Sequence, residues 1–247
     1  MSTQATVLIT GATSGIGEAL LQQYLANGYR VIACGRNQEK LRQYANDHHN
    51  VIPLAFDITD RQQISQAASQ LTDIERIDLL LLNAGDCRYI DDVNAFDGQL
   101  FADIIAINLQ SLGYLLEHFL PKVPEGGQVV FVSSSATLLP FPRAEAYGAS
   151  KAGIDYLAKS LRIDLTTKNI AVTLVHPGFI KTPLTDKNDF PMPFLLTSEQ
   201  AASRIYNGVK AKKSYLHFPK RLTWLMKLFA LLPDAVWQKL ILKSENK

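Results

Sequence analysis

The 247-residue chain is poor in the features that mark secreted, metal-dependent or nucleic-acid-binding proteins. Only two cysteines occur, Cys34 inside an apolar run and Cys87 after a Gly-Asp pair. They form neither a disulfide framework nor a zinc spacing, and a reducing, cytoplasmic setting is expected. The five histidines, His48, His49, His118, His176 and His217, fall at no i,i+4 spacing on a predicted helix and have no carboxylate cluster beside them, so no metal site is expected. Excess charge is equally scarce. A net charge of +2, with no basic stretch interleaved with aromatics, argues against a nucleic-acid partner. The start of the chain lacks a signal-peptide pattern, and no uninterrupted apolar run of roughly 18 residues is present to span a bilayer. Internal repeats, low-complexity segments and linker-like Gly/Ser/Pro runs are missing from the first 180 residues.

What remains is a globular composition, 47% hydrophobic and 19% charged, suited to one large α/β domain over residues 1–247. Six short runs rich in β-formers recur along it: Thr6–Thr10, Arg30–Cys34, Val51–Phe56, Asp78–Leu82, Gln128–Val132 and Ile170–Val175. They are apolar throughout instead of alternating, as strands covered on both faces should be. Between them lie patterns at helical spacing, such as Leu20, Leu21, Tyr24 and Leu25, or Ile154, Leu157, Leu161 and Leu165. The alternation predicts a doubly wound parallel sheet, Rossmann-like, in three α/β/α layers.

Directly after the first predicted strand comes Thr10-Gly11-Ala12-Thr13-Ser14-Gly15-Ile16-Gly17-Glu18, a glycine-rich turn opening a helix. Glycines there permit close backbone approach to a pyrophosphate, and the free N–H groups of a helix start favour an anion. The second strand ends in Cys34-Gly35-Arg36, where a dinucleotide fold selecting NAD(H) would place an acid for the ribose 2′-hydroxyl. A carboxylate would repel a 2′-phosphate, whereas Arg36 can pair with one, so NADP(H) is expected over NAD(H).

With these features and the motifs that follow in order, the chain resembles the short-chain dehydrogenase/reductase family over roughly residues 5 to 210. The turn Thr10 to Gly17 matches the family's TGxxxGxG, Asp57 follows the third strand, and Asn83-Ala84-Gly85 follows the fourth. Asn108 lies in Ile107-Asn108-Leu109, and Ser134 stands 13 residues before Tyr147, which opens Tyr-Gly-Ala-Ser-Lys ending at Lys151. Pro177-Gly178-Phe179-Ile180-Lys181-Thr182 matches PGxxxT. Leu82 departs from the pattern by replacing the first Asn of the common NNAG, which puts local hydrogen bonding near the fourth strand in question. The resemblance implies that Asp57 contacts adenine, Lys151 holds the nicotinamide ribose, and Thr182 and the Ile180 backbone orient the nicotinamide amide. It further implies that Ser134 positions the substrate oxygen, Asn108 retains a water, and the chain is a homo-oligomer through helices starting near Asn108 and Tyr147. The apolar Leu112, Leu115, Tyr156 and Leu157 suit burial between subunits.

Reduction of a carbonyl by hydride transfer leaves charge on oxygen and needs a positioned proton donor. A tyrosine phenol, with an ordinary pKa near 10, donates readily but needs a nearby cation to favour its phenolate. Lys151, four residues from Tyr147, shares its helical face. A ketone or aldehyde reductase is therefore expected, the alternatives being a non-catalytic dinucleotide sensor and a membrane-surface lipid-carbonyl reductase.

Residues 183–200, with Phe190, Met192, Phe194 and Leu195, read as an apolar substrate loop, favouring a hydrophobic carbonyl. Residues 214–247 read as a basic amphipathic extension. From Lys210 onward nine Lys/Arg face two acids. Two short helices broken at Pro233, with Asp234 as N-cap of the second, are predicted. Packing of the 220–243 stretch over the cleft or against another subunit is preferred to peripheral contact with a membrane, because amphipathic helices usually cover their own core.

Overall fold

In the computed structural model, which describes residues 4–245, the apolar runs pair into one sheet of seven parallel strands. Residues 1–3, on the approach to the first strand, and 246–247, at the end of the basic tail, lie outside the described residues. The strands are β1 (Thr6–Thr10), β2 (Arg30–Gly35), β3 (Val51–Ala55), β4 (Leu79–Leu82), β5 (Gln128–Val132), β6 (Ala171–Pro177) and β7 (Tyr215–Phe218). Their order is β3-β2-β1-β4-β5-β6-β7. The sheet is therefore doubly wound and Rossmann-like, and its strand order reverses between β1 and β4.

Both faces of each central strand are buried because helices cover both sides. On one side lie α1 (Gly15–Ala26), α2 (Gln38–Asp47) and α7 (Ser198–Lys210), whose Leu20, Leu21, Leu41 and Ile205 share a core with Val7 and Ile9. On the other lie α3 (Arg61–Ser69), α5 (Ser111–Phe119) and α6 (Glu145–Thr166), whose Ile64, Leu115, Phe119 and Ile154 pack with Leu8 and Leu80. Adjacent residues of β1 thus feed opposite cores, which explains why the run carries no alternation. Helix starts follow side-chain chemistry. Asp60 accepts from the Gln62 and Gln63 nitrogens at the start of α3, and Thr197 with Gln200 forms a capping box on α7.

The helix α4 (Gly98–Ile105) runs through one π turn, Ala106–Gln110, into α5. By length and hydropathy the run Gly98–Lys122 could cross a membrane. Within this run Asn108 is buried in the π turn, and Leu112, Leu115 and Phe119 are buried against the sheet.

Two differences from the sequence reading concern the C-terminal segment. The strand β7 lies inside the stretch read as an extension and pairs Val175 with Leu216 and His176 with His217. Four residues with a histidine among them give too short and polar a run to stand out, and the strand is secured by its neighbour β6. Beyond it, α8 (Lys220–Phe229) and α9 (Asp234–Glu245) flank Pro233, and Asp234 is the first residue of α9 instead of its cap. Leu222 and Met226 of α8 pack on Leu139, with Phe179, Phe229 and Trp237 around them, and the Trp237 indole donates to the Pro140 carbonyl at 2.8 Å.

Phe119 is fully buried and stacks on Phe56 with ring centroids 6.5 Å apart. Phe119→Ala is expected to lower unfolding free energy by about 3–5 kcal/mol, measured by urea denaturation; a loss below 1 kcal/mol would show that the α5 core collapses around the void.

Candidate active site

The reversal of strand order leaves a crevice beyond the C-terminal ends of β1, β4, β5 and β6. It is a cleft of about 180 Å³ whose walls include Gly11, Ser14, Gly15, Ile16, Asn83, Ala84, Gly85, Ser134, Tyr147, Lys151, Pro177, Gly178, Ile180 and Thr182. Residues spread from 11 to 182 in sequence are thus gathered in one place, most from the ends of strands and the turns beyond them, and Tyr147 and Lys151 from α6.

At the mouth of β1 the chain turns through Gly11 and Gly15, the latter with φ of +54° in the left-handed region. Gly17 lies beneath the turn, where an added Cβ would sit 2.0 Å from the Gly11 carbonyl oxygen. Only a glycine fits there. Ser14, the N-cap of α1, has extended backbone and makes no side-chain cap, leaving first-turn N–H donors of α1 for an anion. Together the glycine cradle and the helix start have the shape and polarity that a pyrophosphate requires.

Thr10 stitches the two sides of the switch point. Its Oγ1 accepts from the backbone N–H groups of Asn83, at 3.0 Å, and Ala84, at 3.1 Å, while Asn83 Nδ2 donates to the Thr10 carbonyl. Leu82 is buried in the core, so its replacement of an asparagine leaves this hydrogen bonding in place.

Arg36, Asp57 and Thr13, which follow β2, β3 and β1, are not among the cleft walls. Arg36 is 79% exposed and its Nη1 lies 3.8 Å from Asp57 Oδ2, so the two form a loose ion pair. Burial raises the Asp57 carboxyl, but hydrogen bonds from the Thr59 backbone and hydroxyl, with the charge of Arg36, hold it below its ordinary value. Thr13 packs against Gly35, where an added Cβ would meet Thr13 Cγ2 at 3.0 Å.

At the other end of the cleft α6 presents Tyr147 and Lys151 one turn apart. Lys151 is 5% exposed, its Nζ donates to the Val132 carbonyl at 3.1 Å, and it lies 5.7 Å from the centroid of the Tyr147 ring. Burial lowers its pKa to about 8, against the opposing influence of Cys87 and Asp155. The Tyr147 phenol is pushed up by burial and then by Cys87, while a hydrogen bond with Ser134 pulls it down. Ser134 Oγ also accepts from the Ala136 nitrogen at 3.1 Å, which fixes it at the end of β5. Asn108 sits behind this group, fully buried in the π turn. Its Nδ2 donates to the Asp86 carbonyl and to Ser150 Oγ, both at 2.9 Å, and its Oδ1 accepts from the Asp86 nitrogen. The Asn108 amide is thereby occupied in holding the segment after β4 against α6.

A family model described as short chain dehydrogenase matches residues 5–191. The chain belongs to the short-chain dehydrogenase/reductase family. It is an oxidoreductase of that family, 30% identical over 239 residues to an uncharacterized oxidoreductase of Myxococcus xanthus, covering 94% of both chains. It is likewise 30% identical to a probable NADP-dependent dehydrogenase of Haemophilus influenzae, covering 83% of this chain and 81% of the relative. Among solved structures, a short chain dehydrogenase from Burkholderia cenocepacia in complex with NADP superposes with a TM-score of 0.84 at 24% identity, over 96% of this chain and 98% of that one. That likeness extends the fold match through the C-terminal segment.

Several cleft residues escaped the sequence reading. Asp86 and Ser133 line the walls, and Cys87 and Tyr89 approach the Tyr147 phenol closely enough to couple to it electrostatically. Their signal was position alone, immediately after Asn83-Ala84-Gly85. In the segment 183–200, Phe190 meets Tyr89 and Phe179 edge-on, with centroids 5.7 and 6.1 Å apart. Phe194 and Leu195 remain exposed. Arg143 pairs both with Asp189 of this segment and with Asp91. The leucines Leu112 and Leu115, read as candidates for burial between subunits, instead fill this chain's own core, packed with the sheet residues Leu80 and Phe131.

Behind Lys151 lies a buried polar chain. Ser133 Oγ donates to the Lys151 carbonyl, Thr137 Oγ1 donates to Asp155 Oδ2 at 2.8 Å, and Asp155 Oδ1 meets His176 Nε2 at 2.9 Å. His176 Nδ1 reaches the Tyr215 hydroxyl at 3.0 Å. Burial raises the Asp155 carboxyl, but the hydrogen bond and charge of His176, with Ser133 and Thr137, outweigh it and leave the pKa below its ordinary value. Among the described residues no group of three His, Cys, Asp or Glu side chains could hold a metal ion.

Asp155→Ala strands His176 and Thr137 without their shared acceptor and is expected to cost about 3 kcal/mol, read from urea unfolding at pH 7. Because the folded pKa lies below the unfolded one, near 3.9, this stabilisation is complete above that value and is lost as pH falls through the folded pKa. Asp155→Asn should flatten the acid limb of the stability profile; an unaltered limb would place the acid sensitivity elsewhere.

Proposed function

We propose that this oxidoreductase is an NADP(H)-dependent carbonyl reductase that converts an apolar ketone or aldehyde to the alcohol, with Tyr147 as proton donor. The observation that carries the reading is the buried Lys151 ammonium beneath the Tyr147 ring, with Ser134 in hydrogen-bonding reach of the phenol, all within one cleft. Lys151 makes proton loss from Tyr147 less costly, and the Ser134 hydroxyl can hydrogen-bond the oxygen on which charge develops, where exclusion of water strengthens the contact. A reduced nicotinamide, when bound, supplies the hydride.

The dinucleotide would lie along the cleft. Gly11, Ser14, Gly15 and Ile16, supported by Gly17, would take the pyrophosphate; Lys151 would hold the nicotinamide ribose, and Ile180 and Thr182 the amide. Arg36, with Thr13 beside it, would pair with a 2′-phosphate in place of its loose contact with Asp57, leaving Asp57 for the adenine edge. The names of the Haemophilus relative and of the Burkholderia complex support NADP(H). Tyr89, Phe179 and Phe190 give the substrate end an aromatic wall, which favours an apolar substrate. Homo-oligomerisation through α6 is supported by Tyr156 and Ile163, 80% and 74% exposed on its outer face. The free thiols of Cys34 and Cys87 suit the cytoplasm.

Tyr147→Phe should abolish NADPH oxidation with a panel of ketones and aldehydes while NADPH affinity stays within about threefold, under 1 kcal/mol. Retained turnover would remove Tyr147 from the chemistry, and tight NADPH binding without turnover by the wild type on any carbonyl would favour a sensor. NADPH should give a lower KM than NADH, the reverse counting against Arg36. Lys151 carries its proton below about pH 8 and loses it above. For reduction, kcat/KM should therefore hold steady below pH 8 and fall roughly tenfold per unit above it; a flat profile to pH 10 would show that the ammonium is not required.

A further inference from the structure

The two C-terminal helices bury one apolar face and expose another. Leu222, Thr223 and Met226 of α8 face the core, with Leu222 so close to the cleft wall that a Cβ on Gly178 would meet its Cδ2 at 2.9 Å. Around the helix from this buried face runs a second stripe, Trp224, Leu225 and Leu228, continued by Leu231 and Leu232 and flanked by Leu240 of α9, all exposed. Trp224 and Leu228 are each 61% exposed and Leu231 81%. A helix with one apolar face is satisfied by packing on its own core, whereas a second apolar face requires another cover.

Basic side chains frame the stripe. Lys227 Nζ lies 4.5 Å from the Tyr215 ring centroid and 5.1 Å from that of Trp224, and Lys220 Nζ lies 3.0 Å from His217 Nε2. Arg221 and Lys239 are exposed and have no ion pair among the described residues. The segment from Lys210 onward holds nine Lys/Arg against two acids in a chain whose net charge is only +2. A second copy joined about a two-fold axis through this face would oppose like charges. A surface of anionic headgroups complements them, and tryptophan with leucine between lysines and arginines is the composition of helices that lie in a bilayer interface.

We propose that the outward face of α8 and α9 docks on a lipid bilayer bearing anionic headgroups. Because Leu222 on the inner face of the same helix packs against the cleft wall at Gly178, docking sets the cleft beside the membrane; resting on the reductase reading, its substrate is then a carbonyl dissolved in that membrane.

Flotation of the full chain with vesicles of phosphatidylcholine alone, or mixed equally with phosphatidylglycerol, tests the docking. Binding to the anionic vesicles should exceed that to the neutral ones by at least about tenfold, weaken with added salt and shift the emission of Trp224 to the blue in a Trp237→Phe background. The double variant Leu228→Ser, Leu231→Ser should lose the binding while keeping its melting temperature, since both side chains are exposed in the fold. Equal or absent binding to the two vesicles, or binding unaltered by the double variant, overturns the proposal. So does light scattering that shows a wild-type dimer and a monomeric double variant, which would assign the face to a second copy. Flotation requires neither NADPH nor turnover, so its failure leaves the reductase reading intact, and loss of that reading leaves docking intact. For the substrate route, the double variant should lose at least about tenfold in rate on a bilayer-dissolved ketone and nothing on a water-soluble one; equal effects on both overturn it.

Discussion

Thr10 accepts hydrogen bonds from two successive backbone nitrogens of the segment that follows β4, and the geometry of the cleft depends on that junction. In a parallel sheet the strand order must reverse somewhere if helices are to cover both faces, and at the reversal the adjoining loops leave in opposite directions. Such a gap exposes strand-end N–H groups with no ladder partner. The Thr10 hydroxyl satisfies two of them, and Asn83 returns a bond to the Thr10 carbonyl. With that seam closed, Gly11 can pass Ala84 at close range, an added Cβ falling 3.0 Å from its Cα, and Gly17 can slide beneath Gly11. The glycine cradle is therefore a consequence of packing at the seam as much as of any ligand.

The same economy of space governs Lys151. An ammonium this deeply buried is destabilised by loss of water, and its one short hydrogen bond, to the Val132 carbonyl, offsets only part of that loss. Asp155, one helical turn further along α6, favours the charged amine from a distance while its own charge is held by His176 and Thr137. A carboxylate in direct contact would have kept the lysine cationic over the whole physiological range. Placing it one turn away, and occupying it with His176, leaves the amine with a pKa of about 8, protonated at neutral pH yet able to exchange its proton with little driving force.

How much of this could be read in the sequence follows from how local each feature is. The glycine turn, the strand runs and the Tyr147–Lys151 pair are encoded by neighbours in the chain, and the structure shows them where the motifs lie. Arg36 and Asp57 are 21 residues apart, and their mutual ion pair follows only from the adjacency of β2 and β3. Cys87 and Tyr89 carry no motif, yet the segment after Gly85 places them near enough to influence the Tyr147 phenol electrostatically. For Leu112 and Leu115 the helical period was legible but not its phase, which the single π turn at Asn108 resets. Asp155 belongs to no motif and His176 lies just past the run Ile170–Val175, yet β6 extends through it and sets the two 2.9 Å apart.

The strand β7 is the least legible element and has the widest effect. Its pairing with β6 fixes Phe218, whose carbonyl accepts from the Gly178 nitrogen at 2.7 Å, so the chain leaves the sheet directly beside the cleft wall. From that point α8 runs beside Gly178, and Leu222 and Met226 pack on Leu139 there. Had the tail left from the opposite end of the sheet, the same sequence would have covered the N-terminal ends of the strands and left Gly178 bare. Burying one side of α8 turns the other outward, because residues such as Leu222 and Trp224 two positions apart cannot share a helical face. The exposed stripe and the closed cleft wall are thus two results of one strand pairing.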